Sequence, residues 1–333
     1  MTMSHEVIFL SDADVRSMLT MPAVMEAVEA DFQRQAKPDS MIVGVPLAYE
    51  TDDRKLGFRW RLKTAVIRDL PIAGTRITGY KIDSSGVGSG GDRTSTRYLI
   101  LSDPNTSMPL AIIDEHTSFS MRTSASVCVA AKYLARRESK AIGIIGVGNI
   151  GKTLLPGLMS LFPIADVRVM SRRAESRSAF AKEQSTALGL PVRAVDSYED
   201  ACRGADIIMT ATPSTVPFLK YEWLKDGAFV GLMGLEEAHH DVYRKCDRLF
   251  VDYNPATEKH PAHIRRAVDS GAILPDKPIR QIWEAVSGKL PARQNEREKI
   301  VAATVGLTTQ DTSIAYALYL QAKANGRGIR LPF

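Results

Sequence analysis

The chain has 333 residues, 44% of them hydrophobic, with 43 Lys and Arg against 38 Asp and Glu, a formal net charge of +5. That length buries a sizeable core and, at about 100–200 residues per domain, leads us to expect two lobes with a cleft between them. The small charge surplus is spread without a basic tail or a long run, which argues against a nucleic-acid partner and leaves basic residues to gather around an anionic cofactor or a carboxylate.

Cys128, Cys202 and Cys246 are far apart, odd in number and never in a Cys-x-x-Cys pair, so we expect buried, reduced thiols, with neither a disulfide framework nor a metal site. Residues 1–10 show no basic segment leading into a long apolar run, and no stretch reaches the roughly 18 apolar residues of a membrane span. A cytoplasmic, soluble protein with no membrane partner is the expectation.

In chain order, Ser11-Asp-Ala-Asp14 offers a capping box to a short helix ending near Leu19. Thr20 caps the next helix, with Pro22 in its first turn and Val24, Val28 and Phe32 on its buried face. Strands are predicted at Ile42–Leu47, Gly57–Lys63, Gly74–Ile82, Arg97–Leu101 and Pro109–Ile113, with turn chemistry that suits a mostly antiparallel sheet. The glycine-rich run from Ser84 to Thr94 is either a surface hairpin loop or a loop covering a ligand. Ala-rich sequence from Thr117 to Leu134 reads as one helix carrying Arg122.

The pattern then becomes alternating strands and helices, with strands at Ala141–Ile145, Val167–Met170, Val192–Ala194, Ile207–Thr210, Phe229–Met233 and Leu249–Val251. This is the alternation of a parallel sheet. A last helix starts at Thr308 or Thr309 and stops at Gly326. The expected fold class is α/β: a doubly wound Rossmann sheet over 131–308, with an α+β domain over 1–130 that the helix 309–333 rejoins.

Gly146-Val-Gly148-Asn149-Ile150-Gly151 follows an apolar strand and opens a helix, the context in which a G-x-G-x-x-G run carries meaning. Gly146 permits the tight turn, Gly148 lets backbone approach a pyrophosphate, and Gly151 lets helix pack on strand, while N–H groups at the helix start hold phosphate. The second strand ends at Ser171-Arg172-Arg173, where an NAD site usually presents a carboxylate about 20 residues past the glycines. A hydroxyl and guanidinium groups suit a 2′-phosphate, so NADP(H) is favoured over NAD(H). The full coenzyme set expected is Thr94, Gly146, Gly148, Asn149, Ile150, Gly151, Ser171, Arg172, Arg173, Thr210, Ala211, Thr212 and Met233.

Ile72-Ala-Gly-Thr-Arg-Ile77, the run Leu101 to Asp114, Met121-Arg-Thr-Ser-Ala125, Gly204 to Ser214 and Gly306-Leu-Thr-Thr-Gln-Asp311 together resemble the ornithine cyclodeaminase/mu-crystallin family along nearly the whole chain. The resemblance implies two lobes, a first lobe that binds substrate and dimerises through its sheet, and a homodimer. It also implies that Arg122 binds a substrate carboxylate, as a planar fork can with two parallel hydrogen bonds. Arg76 stands where the family usually has lysine and, unlike lysine, cannot shed a proton. Lys81 is a further candidate near the same strand end, although five residues from Arg76 puts it on the opposite face of a regular strand. Glu236 matches a cyclodeaminase aspartate, with Glu237 adjoining. His116 is the candidate proton donor by position, ahead of His239 and His240.

The activity so implied is NAD(P)H-dependent reduction of a small 2-imino acid to an amino acid or N-substituted amino acid. Two alternatives stand beside it: a cyclodeaminase-type lyase with tightly held NAD, and a non-catalytic binding protein like mu-crystallin.

Overall fold

The computed structural model describes residues 6–37, 39–43, 49–53, 55–82, 95–234, 236–252, 267–274 and 276–332. Thr94 and the glycine-rich run before it lie outside the described residues. The chain divides into two compact units, Met1–Arg122 with Leu307–Phe333, and Thr123–Gly306. The first boundary falls inside a helix, eight residues ahead of the expected one.

The first unit is built on strands β1 (Glu6–Leu10), β2 (Met41–Val43), β3 (Tyr49–Asp53), β4 (Phe58–Ile67), β5 (Ile72–Lys81), β6 (Thr96–Ser102), β7 (Pro109–Asp114) and β16 (Ile329–Pro332). Their order is β16-β1-β7-β6-β5-β4-β2, with β3 also on β4. Only the β1–β7 pair is parallel among these. Strict alternation of buried and half-buried residues along β6 marks a sheet with one face on the core.

Helices α1 (Asp12–Met18) and α2 (Met21–Gln35) begin where the capping residues predict. Ser11 Oγ accepts from the Asp14 amide while Asp14 returns the bond to the Ser11 amide, and Thr20 caps α2. Val24, Val28 and Phe32 are fully buried. The C-terminal helix Thr308–Asn325 returns to this unit and ends on Gly326 at φ 63°. It lies so close to β5 that a Cβ on Gly74 would stand 2.2 Å from Thr312 Oγ1.

The second unit is an eight-stranded, wholly parallel sheet. Its strands are β8 (Ala141–Ile145), β9 (Asp166–Met170), β10 (Val192–Ala194), β11 (Ile207–Thr210), β12 (Phe229–Leu232), β13 (Arg248–Val251), β14 (Ile279–Gln281) and β15 (Ile300–Ala303). The order β10-β9-β8-β11-β12-β15-β13-β14 is that of a Rossmann sheet with β15 inserted beside β12. Strands β11, β12, β13 and β15 are buried at every residue, as central strands covered on both faces must be. Helix α3 (His116–Leu134) contains the unit boundary; α4 (Asn149–Met159), α5 (Ala174–Leu188), α6 (Tyr198–Cys202) and α7 (His240–Lys245) follow in the second unit.

No described helix is long and apolar enough to cross a membrane. The three cysteines are buried and free, and burial pushes each thiol up.

Asp31 of α2 is fully buried and accepts from Thr309 Oγ1 at 2.8 Å and Ser313 Oγ at 3.5 Å on the C-terminal helix. Burial pushes its carboxyl up to about 7, against the opposing hydrogen bond from Thr309 and the charge of Arg34. An acid whose folded value is raised binds its proton more tightly when native, so stability falls as pH climbs from the ordinary carboxylate value of 3.8 and levels off above about 7. Asp31→Asn is therefore expected to raise the melting temperature by roughly 2–5 °C at pH 8, with the gain shrinking toward zero near pH 4. Thermal denaturation followed across pH checks this; equal shifts at both pH values would contradict it.

Candidate active site

One face of the first sheet carries a cluster of buried charge. On β5, Gly74, Arg76 and Thr78 share the side that meets the C-terminal helix; across the β4–β5 pair Ala65, Lys63 and Arg61 stand directly opposite them. Arg97 of β6 stands opposite Thr78 on that side. Arg76 is 6% exposed and donates from Nε to Glu115 Oε2 at 2.6 Å, with Nη1 3.8 Å from Asp311 Oδ2. Arg122, on α3, holds Asp311 of the C-terminal helix through Nε at 2.5 Å and Nη2 at 3.4 Å. The guanidiniums of Arg76, Arg97 and Arg122 sit 4.8, 4.3 and 5.3 Å from the centre of the Phe119 ring, within cation–π range.

Burial alone would drive the Arg76 charge off, but Glu115 and Asp311 outweigh it and hold the guanidinium above its ordinary value. Burial pushes the Glu115 carboxyl up against the pull of Arg76. Arg97 is brought down to about 10 by burial and by Arg76. The Nη2 group of Arg76 is buried without a hydrogen-bond partner among the described residues, a donor that a ligand oxygen would satisfy.

Arg76 and Arg122 thus come together as read from the sequence. Lys81 does not join them: it is exposed, opposite Phe58, on the far side of the sheet with Trp60 and Leu62. Regular strand alternation decides this, with no bulge between Arg76 and Lys81 to reverse it. His116 is committed at both ring nitrogens, Nδ1 at 2.7 Å from Asp114 Oδ1 and Nε2 at 3.0 Å from the Ser95 carbonyl, so it braces the start of α3 against β6. Three members of the cluster, Lys63, Glu115 and Asp311, escaped sequence reasoning as site residues.

In the second unit the glycine turn has the expected form. Gly146 adopts φ 109°, and a Cβ there would stand 2.3 Å from the Ala211 carbonyl oxygen. A Cβ on Gly151 would stand 2.3 Å from the Gly146 carbonyl oxygen, so only glycine lets the helix sit this close. Gly148, the N-cap of α4, faces open space, and Asn149 beside it is exposed. The first turn of α4 has no acidic residue, which leaves its N–H groups and dipole suited to phosphate. Ser124 on α3 fixes the turn from behind by donating to the Ile150 carbonyl at 3.0 Å.

At the end of β9, Ser171 Oγ donates to the Arg173 carbonyl, and Arg172 and Arg173 are exposed. Arg177 donates to the Ser171 carbonyl at 3.1 Å and pairs with Asp196 at 2.5 Å.

Glu237 is fully buried and collects the Thr210 hydroxyl, the Thr212 amide at 2.7 Å, the Thr212 hydroxyl at 2.8 Å and the Gly234 amide at 2.6 Å. Burial raises this carboxyl, opposed by the same hydrogen bonds. It ties the turn after β11 to the turn after β12. Thr210 therefore departs from the coenzyme set: it is fully buried and its hydroxyl belongs to Glu237. Ala211, Thr212, Met233 and Glu236 remain half-buried on those turns. His239 and His240 line an open, mostly apolar depression with Val216 and Pro217. Among the described residues no group of acidic, His or Cys side chains is placed to hold a metal.

A phosphate-cradling turn on a parallel sheet and a guanidinium cluster on a separate α+β unit define a class: dinucleotide-dependent enzymes of small carboxylates. The chain belongs to the ornithine cyclodeaminase/mu-crystallin family, whose model matches residues 5–326. It is 27% identical to an N-((2S)-2-amino-2-carboxyethyl)-L-glutamate dehydrogenase of Staphylococcus aureus, across 99% of both chains. Its structure resembles that of Thermococcus litoralis Δ1-pyrroline-2-carboxylate reductase in complex with NADH and L-proline, with a TM-score of 0.88, 26% identity and coverage of 98% and 100%. It also resembles an archaeal alanine dehydrogenase dimer with bound NAD, with a TM-score of 0.87, 27% identity and coverage of 99% and 100%.

Proposed function

We propose that this protein is an NAD(P)H-dependent oxidoreductase that reduces a small 2-imino acid to the corresponding amino acid or N-substituted amino acid. The observation that carries this reading is the orphaned Nη2 of Arg76, on the same Phe119 ring as Arg122, whose Nε and Nη2 edge is held by Asp311. A carboxylate oxygen satisfies that donor, and a guanidinium holds a carboxylate through charge-assisted hydrogen bonds. The ion pairs with Glu115 and Asp311 fix the two forks before substrate arrives, which lowers the cost of orienting it. Arginine at 76 and glutamate at 236 weigh against a cyclodeaminase, which relies on exact proton placement.

The turn Gly146–Gly151 holds the coenzyme pyrophosphate through α4 N–H groups, and the bound nicotinamide supplies the hydride. Ser171, Arg172 and Arg173 select NADP(H), because no carboxylate stands there to repel a 2′-phosphate and two exposed guanidiniums attract it. The protein is a homodimer joined through the outer face of the first sheet, where Trp60 and Leu62 are 41% and 37% exposed on the side away from Lys63.

Oxidation of NADPH, screened against pyruvate, glyoxylate and oxaloacetate with ammonia or methylamine and against cyclic 2-imino acids, tests the reaction itself. Arg122→Lys keeps a charge for Asp311 but loses the fork; we expect kcat/KM to fall about 100-fold with coenzyme Kd nearly unchanged. Equal loss of both would contradict the assigned role. Replacing Arg172 and Arg173 by alanine should raise Kd for NADPH at least about 10-fold and leave NADH binding near its original value, read by fluorescence titration. Trp60→Glu should convert a dimer to a monomer in analytical ultracentrifugation, and an unchanged sedimentation coefficient would rule that interface out.

A further inference from the structure

Imine reduction needs a proton as well as a hydride. Arginine does not supply one near neutral pH, because its guanidinium stays charged. Glu115 and Asp311 are occupied by Arg76 and Arg122, and His116 is occupied at both nitrogens. Lys63 is placed differently. It is the direct cross-strand partner of Arg76 and so shares its face, with Cβ atoms about 5 Å apart by the geometry of antiparallel pairs. It keeps part of its surface open while Arg76, Arg122, Glu115 and Asp311 are all buried.

We propose that Lys63 is the proton donor of the reaction, delivering a proton from its ammonium to the imine nitrogen of a substrate whose carboxylate is held by Arg76 and Arg122. The assignment rests on the reductase reading above. In the step, the imine nitrogen takes the proton from Nζ, the carbon takes the hydride that the nicotinamide supplies, and the C=N double bond becomes a C–N single bond. The lysine is left as a neutral amine and regains its proton from water. In the oxidative direction the neutral amine takes the proton back.

The charges around the ammonium suit this work. Burial, then the guanidinium of Arg76 on β5, push Lys63 down to about 8; Arg122 of α3 and Arg61 on its own strand add to this, and Asp311 of the C-terminal helix opposes it. The amine is thus poised near the pH at which donor and acceptor forms coexist, where general acid–base catalysis is most effective.

The test uses the intact enzyme with NADPH and a preformed cyclic 2-imino acid that the wild type reduces. Substrate ionisation is then common to every variant. Wild-type kcat should fall as pH rises through about 8. Lys63→Met should lower kcat about 100-fold, abolish that alkaline limb and change KM by less than about threefold. Lys63→Arg, which keeps the charge and serves should the methionine variant not accumulate, should restore neither kcat nor the limb. By NMR of the reductively ¹³C-methylated protein, the resonance missing from Lys63→Arg should titrate near 8. Wild-type turnover with kcat of Lys63→Met within threefold of it, a retained limb, rescue by arginine, or a midpoint near the usual lysine value overturns the assignment alone. Absence of turnover on every imino acid overturns the reductase reading and this assignment with it.

Discussion

Two buried ion pairs, Arg76 with Glu115 and Arg122 with Asp311, are the constraint on which the first unit is organised. Taking a guanidinium out of water costs several kcal/mol, and stripping its partner leaves an uncompensated charge in a low dielectric. A fold that keeps arginines inside must therefore bring carboxylates to them from elsewhere in the chain. Glu115 comes from the end of the sheet and Asp311 from the C-terminal helix, 189 residues beyond Arg122. Phe119 fills the space among three guanidiniums and offers each the negative face of its ring. The outcome is a rigid set of donors whose orientation is settled without a ligand.

The second unit solves a related problem with one acid. Glu237 gathers two hydroxyls and two amides from the end of β11 and the turns that follow β11 and β12, so irregular backbone at the carboxyl ends of the strands is tied together by one side chain. The sharp turn at Gly146 rests against the Ala211 carbonyl of the same region. Turns at the carboxyl ends of parallel strands are where ligands meet doubly wound sheets, and here they are stiffened from below.

Features encoded locally were legible in the sequence. Capping at Ser11 and Thr20, the sharp turn at Gly146, the close helix packing at Gly151 and the stop at Gly326 each depend on a few neighbouring residues, and all appear in the structure. Features that depend on register were not. Lys63 and Arg76 are thirteen residues apart along the chain, and nothing in either segment announces that the β4–β5 hairpin sets them opposite each other. Glu115 lies between two more conspicuous candidates, Asp114 and His116, and only the packing shows that it is the one turned inward. Strands β1 and β15 were also illegible, since runs of four or five residues without a full period do not separate strand from buried helix. At Lys81 the simple rule of alternation prevailed over closeness in sequence.

The strand order also dictates when the molecule can be finished. Strand β15 lies between β12 and β13, so β13 and β14 have no seat in the parallel sheet until residue 303 has left the ribosome. Until then the β12 edge stays bare, a template for pairing with the wrong chain. The first unit waits longer still, because Asp311 and β16, the strand that flanks β1, follow β15 in the chain. A chain without Asp311 holds Arg122 without its carboxylate, an uncompensated charge in a low dielectric.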